Sequence, residues 1–280
     1  MQQPNSDEPS DPTAASLSPQ PANTPTYKLH APEPVHPMVT YVLLGVTLAV
    51  YGMQWLSIWI LGNDFPAILG MKYTPAILAG EWWRLITPIF LHSTSGLLHI
   101  ASNMYFLYWV GRSLEQQIGH LRFFGLYLVA GLSGNVLSAI LAPETPSLGA
   151  STALYGIMIA EVLLIWLNRE VFRSWKARLQ NAAMVVAINL LITFFVAQID
   201  AWGHIGGLLG GLMVFWLIAP RYTVRYLNQT DIRIEEQPLR LPVLVSIALS
   251  LLVWVAMLVV WAVWIYRPLE LFLIHKFLTA

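Results

Sequence analysis

From residue 38 onward the chain alternates long apolar runs with short polar breaks. Seven runs approach the length needed to cross a bilayer: 38–61, 97–115, 121–142, 151–167, 181–198, 203–219 and 242–266. A hydrocarbon core needs roughly 20 residues of helix, so each run predicts a spanning helix, the fourth and sixth being short. The stretch 62–96 is too apolar for a free loop ("FPAILGMKY", "WWRLITPIF") and is placed in or near the membrane interface. Residues 1–37 break the pattern: they hold 9 of the 18 prolines, with Ser, Thr, Gln and Asn between them. Such a segment buries too little apolar surface to offset its ordering entropy, and a disordered tail is expected. It has neither the basic start and apolar core of a signal peptide nor the charge of a transit peptide.

Composition strengthens this picture. Hydrophobic residues make up 56% of the 280, mean hydropathy is +0.60, and charged residues are 11%, against about 25% in soluble domains. The formal net charge is zero, which gives no basic surface for nucleic acid. The absence of cysteine excludes disulfides, thiolate metal sites and a cysteine nucleophile. With the N-terminus inside, 11 of the 15 Lys and Arg fall on inner segments, as the positive-inside rule requires. Spans two, four and six then start on the outer side. The expected layout is a cytoplasmic tail (1–37), a six-helix core (38–220), a cytoplasmic linker (221–241), a seventh span (242–266) and a short C-terminal tail (267–280). Short loops and the lack of a transit sequence point to a prokaryotic plasma membrane.

The polar residues at those three outer starts converge. Span two opens "GLLHIASNMYFLYWVG", where His99 and Asn103, four apart, share a face. Span four opens "GASTALYGIMIA", with Ser151 in its first turn and Tyr155 one turn below. Span six opens "GHIGGLLGGLM", with His204 followed by Gly206, Gly207, Gly210 and Gly211. Glycine in a helix costs roughly 1 kcal/mol against alanine, so the stripe needs a reason. Small-xxx-small ridges let membrane helices approach backbone to backbone. Span six is therefore expected to press on span four, against Gly156 and Ala160, and to bring His204 to Ser151.

The chemistry that fits is acyl transfer. A serine hydroxyl is a weak nucleophile until a base takes its proton. His204 would be that base and then the acid for the leaving amine. His99, Asn103 and the Ser151 amide would face the oxyanion. Asp200 is expected to lie outside the span, which leaves a Ser–His dyad with no third member. No metal and no cofactor are expected: zinc held by His92, His99 and His204 would lack a His-Glu-x-x-His pattern and a carboxylate at that depth. Taken singly, the serine reads as a cap and the histidine as structural; their coincidence on one side outweighs those readings, since ionisable groups in a bilayer tend to mark function. A transporter is disfavoured by the lack of an internal repeat.

These motifs resemble those of the rhomboid family of intramembrane serine proteases over about residues 38–220. "GEWWR" (80–84) looks like the family's first-loop signature, "HIASN" (99–103) its His-x-x-x-Asn, "GASTALYG" (149–156) its Gly-x-Ser, and "DAWGHIGGLLGG" (200–211) its histidine with following glycines. The resemblance implies an all-α polytopic membrane protein, a rhomboid-like six-helix bundle plus one C-terminal transmembrane helix. It implies Ser151 as nucleophile, His204 as general base, and His99 and Asn103 as oxyanion stabilisers. Supporting positions would be Tyr155, stacked on His204, with Gly149 and Gly207, while Trp83 and Arg84 would anchor the first loop at the interface. Implied partners are the lipid bilayer and single-pass transmembrane protein substrates cut in or near the membrane; oligomeric state is left open. Two departures stand out. Thr152 occupies a position that is usually glycine, which predicts a stiffer or wider contact between spans four and six. His92 and His99 are further apart than the family spacing, so His92 receives no role. The alternative reading, resting on Thr152, is an inactive rhomboid-like protein that binds transmembrane helices.

Overall fold

The computed structural model describes residues 28–196, 199–227 and 231–271. In chain order the elements are β1 (Lys28–His30), α1 (Met38–Leu61), α2 (Phe65–Gly70), α3 (Thr74–Leu78) and α4 (Leu97–Phe106). A π-helical turn at Leu107–Gly111 carries α4 without a break into α5 (Arg112–Ile118). There follow α6 (His120–Leu141), α7 (Ser151–Leu167), α8 (Trp175–Phe195), α9 (Ala201–Ile218), β2 (Tyr222–Tyr226), β3 (Asp231–Glu236) and α10 (Val243–Trp261). The protein is thus an all-α polytopic membrane protein. Among the described residues five helices are long and apolar enough to cross a bilayer, and α7 is a shorter apolar helix of 17 residues. Local chemistry sets the helix ends. Gly62, in the left-handed region at φ 73°, closes α1. The Asp64 and Asp200 carboxylates cap α2 and α9, accepting from Ala67 N at 3.0 Å and Gly203 N at 2.8 Å. Large apolar side chains such as Trp59, Leu98 and Phe195 face outward, as lipid contact requires.

α6 is the central helix, with 14 of its 22 residues buried. It is apolar all round, the signature of a helix surrounded by others. α7 and α9 pack on it and on each other. The glycines of α9 serve two faces, where the sequence suggested one. A Cβ on Gly207 would overlap the Thr152 carbonyl of α7, and one on Gly211 would overlap the Gly156 backbone. On the other face, a Cβ on Gly206 would sit 2.7 Å from Ser133 O and 2.9 Å from Gly134 Cα of α6. Ser133 Oγ donates to Gly206 O at 2.9 Å across that contact. α10 docks on α6 and α9: Trp254 and Leu258 are buried, and Ile247 fills the space above Gly125. By contrast, α8 buries only Val186 and Thr193. At the opposite end of the bundle from His204, the buried Glu115 carboxylate accepts from Val39 N (2.9 Å), Thr40 N (2.7 Å) and Thr40 Oγ1 (2.6 Å), fastening the start of α1.

The expected disordered tail 1–37 is corrected at its end: residues 1–27 lie outside the described residues, but Lys28–His30 forms a strand parallel to β3. The linker 221–241 contains β2, which pairs antiparallel with β3 from Tyr222↔Glu236 to Tyr226↔Ile232. The order is β1-β3-β2. Edge backbone groups of β3 recruit a segment too polar to fold alone, and the alternation in "DIRIEE" (231–236) was a strand signal left unused.

Replacing Gly207 with alanine is expected to force α9 off α7 and to destabilise the protein by about 1–3 kcal/mol. Gly45→Ala, in α1 where an added Cβ meets nothing within 4 Å, is expected instead to hold or slightly raise the melting temperature in detergent, alanine being the better helix former.

Candidate active site

The loop from α6 to α7 ends in a sharp bend at Gly149, whose φ of 137° suits glycine alone. Gly149 N donates to Pro88 O at 2.9 Å, pinning the bend to the first loop, and a Cβ there would lie 3.0 Å from the His99 ring. The buried Lys72 holds the same loop: its Nζ donates to Ala142 O at 3.0 Å and also to Thr145 O, and its backbone exchanges hydrogen bonds with Ser147. Ser151 follows as the first residue of α7. Its Oγ lies 2.7 Å from His204 Nε2, the two residues being 53 apart in sequence. The Tyr155 ring lies on the His204 ring, centroids 4.3 Å apart at 21°.

The other nitrogen of His204 was given no partner by the sequence. Nδ1 lies 2.8 Å from Thr193 Oγ1 on α8, and that hydroxyl lies 2.6 Å from the Tyr155 hydroxyl. Thr193 is the only hydroxyl-bearing residue of α8 ("WKARLQNAAMVVAINLLITFF"), and that isolation is the one signal the sequence offers. Asp200 is committed elsewhere, capping α9 and accepting from Ser138 Oγ at 2.6 Å. Among the described residues no carboxylate hydrogen-bonds the His204 ring.

Asn103 and His99 flank the bend. Asn103 Nδ2 lies 3.1 Å from His92 Nε2, and the Ala150 amide points at the same nitrogen from 3.5 Å. The His92 and His99 rings are 5.1 Å apart. His92, unassigned from the sequence, is fully buried, and Gln54 of α1 grips its backbone through N and O at 3.0 and 2.9 Å. Burial first, and the His99 ring second, push its imidazole down to about 3, so it is neutral and accepts at Nε2. Among the described residues no cluster of three or more His, Cys, Asp or Glu is close enough to hold a metal.

Thr152 differs from expectation, and Arg84 is buried within the first loop. Its Nε donates to Glu81 at 2.6 Å and its Nη1 to Ile68 O and Met71 O at 2.9 Å each. A guanidinium has donors enough to satisfy loop carbonyls that lack helical partners. Trp83 is half exposed, and its Nε1 donates to Leu69 O at 2.9 Å. Thr152 does not widen the α7–α9 contact. Its side chain points at α6 and α9, where a Cβ on Gly134 would lie 2.6 Å from Thr152 Cβ and one on Gly203 3.2 Å from Thr152 Cγ2. Two glycines on neighbouring helices absorb the bulk that one glycine on α7 would have spared.

Residues 79–221, just over half of the chain, match the Rhomboid domain family model. The chain belongs to the rhomboid family. That family is one of intramembrane proteases, and the match takes in the first-loop arginine and all of α4 to α9. Similar rhomboid relatives include Rhomboid protease GluP of Bacillus subtilis, 35% identical over 175 residues, 62% of this chain and 34% of the relative. Rhomboid-like protease 3 of Toxoplasma gondii is 35% identical over 150 residues, 52% of this chain and 55% of the relative. RHOMBOID-like protein 6, mitochondrial, of Arabidopsis thaliana is 34% identical over 148 residues, 53% of this chain and 47% of the relative. The chain therefore spans about a third to a half of the length of these rhomboid relatives.

Two outcomes follow. The folded protein resists protonating His92, whereas the unfolded chain takes a proton near 6.5. Acidification from about pH 6.5 towards 3 is thus expected to remove stability, by up to about 1.4 kcal/mol per unit, read as a falling melting temperature. Thr152→Gly is expected to keep a folded protein with a lower melting temperature, because it leaves a void between α6, α7 and α9.

Proposed function

We propose that this rhomboid is an active serine endopeptidase that cuts transmembrane segments of single-pass membrane proteins through a Ser151–His204 dyad. The observation that carries the reading is the 2.7 Å approach of Ser151 Oγ to His204 Nε2, within the reach a general base needs. In this reading Nε2 takes the hydroxyl proton as Oγ attacks the scissile carbonyl. The imidazolium then protonates the leaving amine, and a water activated by the same nitrogen hydrolyses the acyl-enzyme. The Ser151 amide opens α7, where backbone N–H groups lack helical partners, and is one oxyanion donor. His99, against the Gly149 bend, is a second. Asn103 spends one N–H on His92 and has the other for the oxyanion.

The chemistry asks for no cofactor and no metal. The membrane assignment we propose is a prokaryotic plasma membrane with a cytoplasmic N-terminus, supported by the distribution of Lys and Arg. The inactive, helix-binding alternative rests on Thr152, and the seating of that side chain without separating Ser151 from His204 favours the active reading.

Ser151→Ala and His204→Ala are each expected to abolish cleavage of a transmembrane reporter in proteoliposomes, while EDTA leaves cleavage unchanged. A fluorophosphonate probe is expected to label Ser151 in the folded protein and not after heating. Full cleavage by either variant would overturn the mechanism.

A further inference from the structure

A histidine base must keep its reacting nitrogen unprotonated and aimed at the nucleophile, and that is usually arranged by whatever holds the other nitrogen. In this protein the other nitrogen is held from a different helix. His204 Nδ1 lies 2.8 Å from Thr193 Oγ1, which in turn lies 2.6 Å from the Tyr155 hydroxyl. We propose that Thr193 is the positioning residue of the base: its hydroxyl oxygen accepts the Nδ1 hydrogen and so leaves the Nε2 lone pair on Ser151 Oγ. The proposal rests on the Ser151–His204 reading and adds a third member to it.

Three observations carry it. First, Thr193 is one of two buried residues on α8, a helix that otherwise shows its side chains to the outside. A threonine in a helix commonly bonds back to its own carbonyls; this one faces two side chains of other helices instead. Second, a hydroxyl oxygen has two lone pairs, enough to accept from both Nδ1 and the Tyr155 hydroxyl, while the Tyr155 ring stacks on the imidazole at 4.3 Å. One hydrogen bond and one ring face thus fix both the tilt and the rotation of His204. Third, the competing orienter is engaged: both oxygens of Asp200 have partners, Gly203 N and Ser138 Oγ. The consequence is structural. The base on α9 is aimed by a helix held to the bundle by Thr193 near one end, by Val186 packed with Tyr155 and Met158, and by the 3.8 Å Arg178–Glu161 pair near the other end. The orientation of the base, though not its distance from Ser151, therefore depends on α8 being docked on α7.

The test is the cleavage kinetics of a transmembrane reporter by the full chain in proteoliposomes, comparing Thr193→Val with Thr193→Ser. Valine keeps the shape and removes the hydroxyl; serine keeps the hydroxyl. Thr193→Val is expected to lower kcat about tenfold, the value of one hydrogen bond made to the base, with KM within about twofold, and Thr193→Ser to recover most of the loss. A uniform loss in both variants, or wild-type kcat in Thr193→Val, overturns the proposal. Should Thr193→Val unfold, ¹⁵N spectra of wild-type His204 decide: a proton on Nδ1 supports the assignment, and a neutral ring protonated on Nε2 overturns it. Failure of the dyad itself is separate, because it would show as retained cleavage in Ser151→Ala.

Discussion

The structure turns on how closely α9 lies against α7. At Gly207 the backbone of α9 rests on the Thr152 carbonyl with no room for a Cβ, and at Gly211 it rests on Gly156. Apolar burial gives little drive to helix association inside a bilayer, since lipid tails are as apolar as leucine. Close van der Waals packing of backbones has to supply it. That contact sets the separation of the two helix starts, and with it the 2.7 Å between Ser151 Oγ and His204 Nε2. A helix pair held apart by ordinary side chains would leave the hydroxyl and the imidazole out of reach.

Around this contact several polar groups form a connected set. Lys72 and Pro88 of the first loop tie down the segment that enters α7, and the Gly149 bend turns that segment under the His99 ring. His92, neutral and buried, links Asn103 of α4 to the same bend, while Gln54 of α1 holds His92 by its backbone. A low-dielectric interior makes each such bond worth more and each unpaired group more costly. It follows that the apolar first loop acts as a structural wall of the site: the unpartnered carbonyls at the C-terminal end of α2 are met by Arg84 and Trp83.

The two ends of α8 show a different regime. α8 buries two residues: Val186 packs in an apolar cluster with Tyr155 and Met158, and Thr193 reaches directly to the proposed base. α10, in contrast, is bound by shape: Ile247 sits over Gly125, and Trp254 is buried beside Gly210. The seventh helix is thus part of the packed bundle, supporting the α6–α9 face away from the site.

The sequence by itself determined that the chain is a polytopic helical membrane protein, because apolar runs of that length have no other stable home. It also placed His99, Asn103, Ser151 and His204 at or near the starts of their apolar runs. Rotation of each helix about its axis was a different matter. α6, α7 and α9 are apolar all round, so no amphipathic stripe tells which face meets which neighbour. Only the tertiary structure could decide that the α9 glycines serve two faces, that Thr152 is seated against Gly134 and Gly203, that Arg84 turns inward, and that the partner of His204 is a lone threonine on α8. The strands β1 to β3 were likewise decided by pairing between segments some 200 residues apart — a long-range contact that neither segment's own composition requires.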